Sequence, residues 1–262
     1  MSNNKEFYKS LYNRLELPIP AELEVLPNSV PIPWFGDYEN AKSCTISINP
    51  STKEFLKSGK RIPFRKKENN DTLNKEDINN ILASCNNYFS KQNSPYKKWF
   101  GTPATEENSA TSLENVLNHF GYSYYDDNQY DKCVHLDIVQ WATKKAWSRI
   151  GSNIKEKLLE DDLEFFKYLV NQKQFKTIFL NGRQTLDTFM HNMPVDYWKN
   201  PVLSKYNFKD KEDSTSVYFI QGKIGDANII AWTAYLQTWN GNHNLIEKIK
   251  ENFNKNGELH RD

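Results

Sequence analysis

Cysteine is scarce in this chain, and its placement argues against two kinds of site. The 262 residues include three cysteines, Cys44, Cys85 and Cys133, which lie far apart and form no Cys-x-x-Cys pair. An odd number of isolated thiols does not support a disulfide framework. His and Cys residues nowhere have the close spacing that indicates a metal site. We therefore expect reduced structural thiols in a cytoplasmic protein that uses no metal and no other cofactor.

An excess of charge and long apolar runs are missing too. Lys and Arg number 34 against 33 Asp and Glu, a formal net charge of +1, so a nucleic-acid site would have to rest on local patches. No apolar run approaches the length of a membrane span, and the polar start Met1-Ser2-Asn3-Asn4 is unlike a signal peptide. We expect no membrane partner and no obligate protein partner, hence a monomer.

Motifs of the common small-molecule enzymes are also absent. The chain has no GxGxxG, no P-loop and no GxSxG elbow, although a small-molecule enzyme or nucleotide-binding module remains an alternative class. Aromatic residues, by contrast, are plentiful, with 7 Trp, 14 Tyr and 15 Phe. They suit stacking surfaces as well as a core.

The chain is organised around one alternating stretch, Cys44 to Ile48, whose period of two predicts a short strand. Pro50 must end this strand, because proline has no N–H for the ladder. Ser51 stands three residues before Glu54, the spacing of a helix-opening capping box. The pattern predicts strand, tight turn and short helix, with Asn49 at the carboxyl end of the strand, where open α/β sheets bind their ligands.

Strand and helix patterns alternate along the rest of the chain. They predict one doubly wound α/β domain over residues 1–262, with a mainly parallel central sheet, helices on both faces and an extended N-terminal arm over about residues 1–33. The other predicted strands are Cys133–Val139, Thr177–Leu180, Val217–Gln221 and Asn228–Trp232. The other predicted helices are Lys5–Leu15, Leu73–Tyr88, Thr111–Phe120, Ser152–Gln172, one that follows Asn181-Gly182 and one from Asn242 or Asn244 to Phe253. The acidic, tyrosine-rich segment Tyr122–Tyr130 is predicted to be a surface loop.

Several motifs resemble the uracil-DNA glycosylase superfamily. The turn Ile48-Asn49-Pro50-Ser51 is similar to the first motif of those branches that carry Asn there rather than Asp. Val30–Asp37 and Val134–Thr143 look similar too, and the resemblance runs in short motifs from Val30 to Phe253. It implies a glycosylase that flips a base out of double-stranded DNA. Three cysteines cannot make the four-thiolate cluster of some branches.

The resemblance also assigns catalytic and substrate-binding roles. An amide does not titrate near neutral pH, so Asn49 would position the attacking water rather than act as a general base. The strand matching Cys133–Val139 supplies the side chain that reads the flipped base, which places Asp137 in that role. Asp137 capping the turn at Ala142-Thr143 is the alternative. The substrate-binding residues around these two would be Pro50, Ser51 and Gln140.

Positive charge gathers near these motifs. Lys57–Lys67 surrounds Phe64 with basic residues, which favours a phosphate-tracking loop with Phe64 as a substrate-stacking side chain over an ordinary solvated loop. A helix N-terminus after Asn181-Gly182 can bind a phosphate, although a bare turn has the same sequence pattern. The basic residues expected to contact DNA are Lys60, Arg61, Arg65, Lys144, Lys145 and Arg183.

The last strand departs from the superfamily's second motif. Relatives carry His or Asn followed by Pro-Ser, whereas this chain continues from Ala231 to His243 without Pro-Ser. An apolar wedge that keeps the base out of the helix would be Tyr235, Leu236 or Trp239. The substrate-binding residues at this end would be Trp232, Gln237, Asn240 and His243, of which the last three could instead satisfy loop backbone.

The excised base is argued from Asp137. An ionised Asp offers acceptors only, which suits the N4 amino group of cytosine, whereas uracil needs both a donor and an acceptor. Ordinary cytosine belongs to the host's own genome, so we expect a 5-modified cytosine. The superfamily includes phage-defence glycosylases that act on glucosylated hydroxymethylcytosine and leave an abasic site. The alternatives are a uracil or mismatched-thymine repair glycosylase and an inactive protein that binds modified DNA.

Overall fold

The computed structural model describes residues 2–56, 73–90, 97–103, 112–126, 128–193, 202–209, 214–236 and 242–258. The chain divides into two compact units, each assembled from three stretches. The first consists of Met1–Gly36, Ile48–Pro95 and Leu136–Asn171, and the second of Asp37–Ser47, Tyr96–His135 and Gln172–Asp262. A single domain over residues 1–262 stays a prediction.

A seven-stranded sheet, almost all of it in the second unit, has the strand order β2-β3-β1-β4-β7-β6-β5. Its strands are β1 (Ser43–Ser47), β2 (Tyr122–Ser123), β3 (Asp131–Asp137), β4 (Thr177–Asn181), β5 (Val202–Lys209), β6 (Ser214–Ile224) and β7 (Ala227–Trp232). The pairs β2–β3, β1–β4 and β4–β7 are parallel, and β6 is antiparallel to both its neighbours. Parallel neighbours need crossover connections, and helices lie between β1 and β4 and between β4 and β7, whereas residues 124–130 join β2 to β3 without a helix.

The helices precede, separate and follow these strands. They are α1 (Ser2–Leu15), α2 (Lys53–Leu56), α3 (Lys75–Asn86), α4 (Lys97–Phe100), α5 (Leu113–His119), α6 (Ser152–Lys173), α7 (Arg183–Asn192) and α8 (Asn242–Asn252). In the second unit α7 contacts β4 and β7, while α5 contacts β2 and α8. The predicted α/β class, with a mainly parallel sheet flanked by helices, is confirmed. No helix in the described ranges is both long and apolar enough to cross a membrane.

Aromatic side chains fill much of the core of the second unit. The rings of Phe120 and Phe179 lie 5.4 Å apart between centroids, and Phe253 lies 6.2 Å from both Phe120 and Phe219. Phe179, Phe219 and Phe253 are fully buried. These contacts join β4, β6 and the ends of α5 and α8, so part of the high aromatic content serves the core.

The predicted strand β1 is buried on both faces, as expected for a central strand of a parallel sheet. Cys44 and Ile46 are fully buried. Thr45 is buried as well, and its Oγ1 hydrogen-bonds Tyr124 Oη at 2.5 Å and His135 Nδ1 at 2.7 Å. The alternation of apolar and polar residues therefore reflects an apolar and a hydrogen-bonded face rather than a core face and a solvent face.

The prediction of a surface loop is wrong for Tyr122–Tyr125. Tyr122 and Ser123 form β2, and the side chains of Tyr124 and Tyr125 are buried. The Tyr124 hydroxyl bonds Thr45, and the Tyr125 hydroxyl donates to the carbonyl of Gly101 at 2.6 Å. These partners lie far away in the sequence, so the local acidic composition pointed the wrong way.

Candidate active site

The turn after β1 has the form that the sequence predicts. Asn49 and Pro50 follow the strand, and the backbone N–H of Glu54 donates to the carbonyl of Ser51 at 3.0 Å as α2 begins. Glu54 is buried and accepts a hydrogen bond from the hydroxyl of Tyr88, which follows α3. The turn is thereby anchored on its C-terminal side, which fixes where Asn49 sits.

The carboxamide of Asn49 is held in one orientation. Its Nδ2 donates to Thr143 Oγ1 at 3.0 Å and lies at the hydrogen-bond limit from the carbonyls of Trp141 (3.5 Å) and Pro50 (3.4 Å). Thr143 Oγ1 donates its own hydrogen to the Lys145 carbonyl at 2.8 Å, so it accepts from Asn49. A flipped amide would set oxygen against three acceptors. The network therefore leaves Asn49 Oδ1 as the acceptor end of the group.

A pocket of about 190 Å³ opens beside this amide, within the first unit. Two chain segments line it, residues 49–52 and 143–147. Its lining residues are Asn49, Pro50, Ser51, Thr52, Thr143, Lys144, Lys145, Ala146 and Trp147. Lys144 and Lys145 are both exposed, and Lys145 pairs with Glu24 at 2.9 Å. The structure thus brings the predicted residues Asn49, Pro50, Ser51, Lys144 and Lys145 together around one small, polar pocket.

Thr143 and Trp147 line the pocket but were not among the predicted site residues. Thr143 is the last residue of the segment that resembles the superfamily, and it is buried. Its position within that segment is the one signal in the sequence that could have drawn attention to it. The Lys155 ammonium lies over the Trp147 ring, 5.9 Å from its centroid.

The N-terminal arm holds the second segment of the pocket by backbone hydrogen bonds. The N–H of Ile32 donates to the Gln140 carbonyl at 2.9 Å, and the N–H of Leu26 donates to the Ala142 carbonyl at 2.8 Å. The N–H of Lys144 donates to the carbonyl of Glu24 at 2.8 Å. Val25 and Thr143 also form an isolated antiparallel bridge, so the arm is tied to the segment by backbone contacts along its length.

Asp137 ends β3 and is 2% exposed. Within the described part of the chain it is not among the residues that line the Asn49 pocket. Gln140 is fully buried, and its Nε2 donates to the carbonyls of Asp137 at 3.1 Å and Ile138 at 2.7 Å. The Gln140 amide nitrogen is therefore committed to backbone groups at the end of β3 in this structure.

A buried ion pair lies next to the turn after β3, which contains Gln140. Asp162 of α6 is fully buried, and its carboxylate pairs with the guanidinium of Arg14, which is 5% exposed. The second carboxylate oxygen of Asp162 accepts the backbone N–H of Gln140 at 2.6 Å. Burial raises the pKa of Asp162, while the Arg14 charge and the Gln140 N–H act in the opposite direction.

Four predicted residues at the ends of β4 and β7 meet in the second unit. Trp232 is fully buried and donates its Nε1–H to Asn181 Oδ1 at 2.8 Å, and the same oxygen accepts the N–H of Leu236 at 3.2 Å. Leu236 is also fully buried, so a wedge role would require it to move outward. The Arg183 guanidinium lies 5.8 Å from the ring centroid of Tyr218. Burial raises the pKa of the fourth residue, Tyr235.

The remaining predicted site residues lie outside the described ranges. These are Lys60, Arg61, Phe64, Arg65, Gln237, Trp239 and Asn240. His243 belongs to the first turn of α8, where only the backbone is described.

A metal centre is not visible in the described part of the chain, which contains no group of three or more His, Cys, Asp or Glu residues placed to hold an ion. No protein-family model matches the chain, and no curated protein matches it.

Proposed function

We propose that the protein is a DNA N-glycosylase that flips out and excises a 5-modified cytosine, leaving an abasic site. The observation that carries the proposal is the fixed carboxamide of Asn49. It stands at the carboxyl end of a central strand, lines a polar pocket and keeps its acceptor oxygen uncommitted to Thr143. The resemblance of this turn to the superfamily's first motif supports the same role.

In the proposed mechanism, Asn49 Oδ1 accepts a hydrogen bond from a water and aligns it on the sugar carbon C1′. The N-glycosidic bond breaks, its electron pair leaves with the base, and the water oxygen bonds to C1′ as the oxocarbenium-like charge collapses. The proton that the water loses passes through solvent to the departing base, so the products are a C1′ hydroxyl and a neutral free base. Alignment rather than proton abstraction is what an amide can contribute. The phosphates of the DNA and the dipoles around the turn stabilise the developing positive charge.

Asp137 is proposed to read the flipped base. It stands at the end of β3, the strand next to β1 in the sheet, so both roles come from neighbouring strand ends. An ionised carboxylate accepts from the cytosine N4 amino group and offers no donor to uracil O4. The 5-position then carries the mark that separates foreign DNA from the host's DNA, such as a glucosylated hydroxymethyl group.

Exposed lysines at the pocket support contact with the DNA backbone. Lys144 and Lys145 lie at its rim and are exposed. Phosphate contacts of this kind make log affinity fall as log salt rises. A cytoplasmic, monomeric protein is part of the proposal, because buried free thiols at Cys44, Cys85 and Cys133 suit a reducing compartment.

The test is base release from matched duplexes that contain uracil, cytosine, 5-hydroxymethylcytosine or its glucosyl derivative. We expect release from the modified cytosines, an alkali-labile abasic site, and loss of activity in Asn49→Ala. Asp137→Asn should shift preference toward uracil. Release of uracil alone would favour a repair enzyme, and a mobility shift on modified DNA without release would favour an inactive binder. Full activity in Asn49→Ala would remove Asn49 from the mechanism.

A further inference from the structure

A buried ion pair contacts the turn after β3, which contains Gln140 and leads into the pocket beside Asn49. Asp162 of α6 and Arg14 of α1 form this pair, with side chains 0% and 5% exposed. Within the described residues neither side chain lines the pocket, and the proposed reaction uses neither. Burying two charges carries a desolvation cost, so the pair calls for a reason beyond stability.

Asp162 connects the pair to the turn. Asp162 Oδ1 accepts a hydrogen bond from the Arg14 guanidinium, and Oδ2 accepts one from the backbone N–H of Gln140 at 2.6 Å. A hydrogen bond to an ionised acceptor is stronger than one between neutral groups. Burial raises the pKa of the Asp162 carboxyl, and the Arg14 charge opposes this effect.

The turn connects Gln140 to Asn49 on both sides. The N–H of Val139, the residue before Gln140, donates to the carbonyl of Ile48, the residue before Asn49, at 2.8 Å. On the other side, Thr143 Oγ1 accepts from Asn49 Nδ2 at 3.0 Å. A shift of the Gln140 backbone would therefore move both groups that determine where the Asn49 amide points.

We propose that Asp162 is a positioning residue for the glycosylase reaction, because its hold on the Gln140 N–H fixes the turn that orients Asn49. This inference rests on the proposed function. It assigns the acceptor oxygen of residue 162, rather than the charge of the pair, as the group that matters for rate.

Two double variants separate the acceptor from the charge. Arg14→Met with Asp162→Asn removes both charges but keeps an oxygen that accepts the Gln140 N–H. Arg14→Met with Asp162→Leu removes the charges and the acceptor. Neither double variant leaves a lone buried charge, which is the usual reason for severe unfolding when one partner of such a pair is replaced.

Another buried carboxylate provides a matched control. Glu114 in the second unit is fully buried and accepts from Ser123 Oγ at 2.6 Å and from the N–H of Tyr124 at 3.0 Å. Glu114→Gln therefore measures the general effect of neutralising a buried carboxylate in the second unit.

The measurements are kcat at saturating modified duplex, the DNA Kd, the urea midpoint, and the side-chain amide resonances of Asn49 by NMR. The Asn-containing double variant and Glu114→Gln should keep kcat and the Asn49 resonances of the wild type. The Leu-containing variant should lose about 10- to 100-fold in kcat at unchanged Kd, with shifted Asn49 resonances.

The two proposals fail in different ways. A wild-type protein that releases no base from any duplex contradicts the proposed function. An active wild type together with equal kcat in the two double variants contradicts the role of Asp162 alone. A loss of rate that only follows the loss in urea midpoint, and that Glu114→Gln shows as well, also overturns the positioning role.

Discussion

Thr143 decides which end of the Asn49 carboxamide faces the pocket. Because its hydroxyl hydrogen is committed to the Lys145 carbonyl at 2.8 Å, its oxygen is left to accept from Asn49 Nδ2. The amide nitrogen is thus held by the protein, and the amide oxygen is left for a water. A single hydroxyl sets the polarity of the proposed site.

Replacing Thr143 tests whether its hydroxyl orients the Asn49 amide. Thr143→Val keeps the shape of the buried side chain but removes the hydroxyl, so the Asn49 amide loses its strongest partner. We expect kcat for base release to fall about 10- to 100-fold, since a small misorientation of a positioning group carries costs of that order. Thr143→Ser keeps the oxygen and should retain most of the activity. Single-turnover kinetics at saturating DNA measure the effect, and a Val variant as fast as the Ser variant would show that the hydroxyl has no role.

Local pattern was enough to place Asn49, but it did not find the residues that hold Asn49. Strand alternation and Pro50 put the amide at a strand end, as the structure has it. Thr143 and Asp162 act through contacts with residues that are distant in the sequence, 94 positions from Asn49 in the first case and 148 from Arg14 in the second. No local spacing encodes such partners.

At the scale of elements, the junction between β4 and α7 depends on Gly182. Its φ is +95°, in the region that favours glycine, and its N–H donates to the carbonyl of Trp232 at 2.9 Å. A Cβ added there would meet the ring of Tyr235. The close approach lets Tyr235 lie over the start of α7.

Gly182→Ala should therefore destabilise the protein by about 1–3 kcal/mol or more, through backbone strain and displacement of the Tyr235 ring. Gly121→Ala is the matched control, because Gly121 also has a positive φ, +81°, but nothing lies within 4 Å of its added Cβ. Urea unfolding of the two variants separates the clash from the strain. Equal losses would mean that the Tyr235 ring moves aside at no cost.

Elements with a strong period were predicted well, and weakly patterned ones were not. The long helix α6 and the strands β1, β3, β4 and β7 are near their predicted positions. Strand β5 was not predicted, because Lys and Asn residues interrupt its apolar pattern. It is identified as a strand by its antiparallel pairing with β6. Helix α5 begins at Leu113, within the predicted range Thr111–Phe120, and Glu114 accepts hydrogen bonds from Ser123 and Tyr124.

For the molecule as a whole, composition predicted the state of the cysteines but not the position of the candidate site. The scarcity of cysteine correctly indicated free thiols, and all three are buried. The near-zero net charge says nothing about where charge gathers, and the pocket with Lys144 and Lys145 at its rim is a tertiary feature. Composition limits the class of protein, whereas pairing of distant segments determines the site.

The three buried thiols should make global stability fall at alkaline pH. Burial raises the pKa of Cys44, Cys85 and Cys133 above the ordinary thiol value. A raised folded-state pKa contributes stability that is fully present below the unfolded pKa of about 8.5 and is lost as pH rises toward the folded value. Each thiol should therefore remove about 1.4 kcal/mol per pH unit once the unfolded chain ionises.

Urea unfolding between pH 7 and pH 9.5 tests this expectation. The free energy of unfolding should change little up to about pH 8 and then fall, before tyrosines of the unfolded chain ionise near pH 10. Cys85→Ala removes one fully buried thiol, so its stability should start lower, because of the cavity, but fall about one third less steeply than that of the wild type. Parallel curves for the two proteins above pH 8.5 would show that the Cys85 thiol ionises as readily in the folded chain as in the unfolded one, despite its full burial within α3.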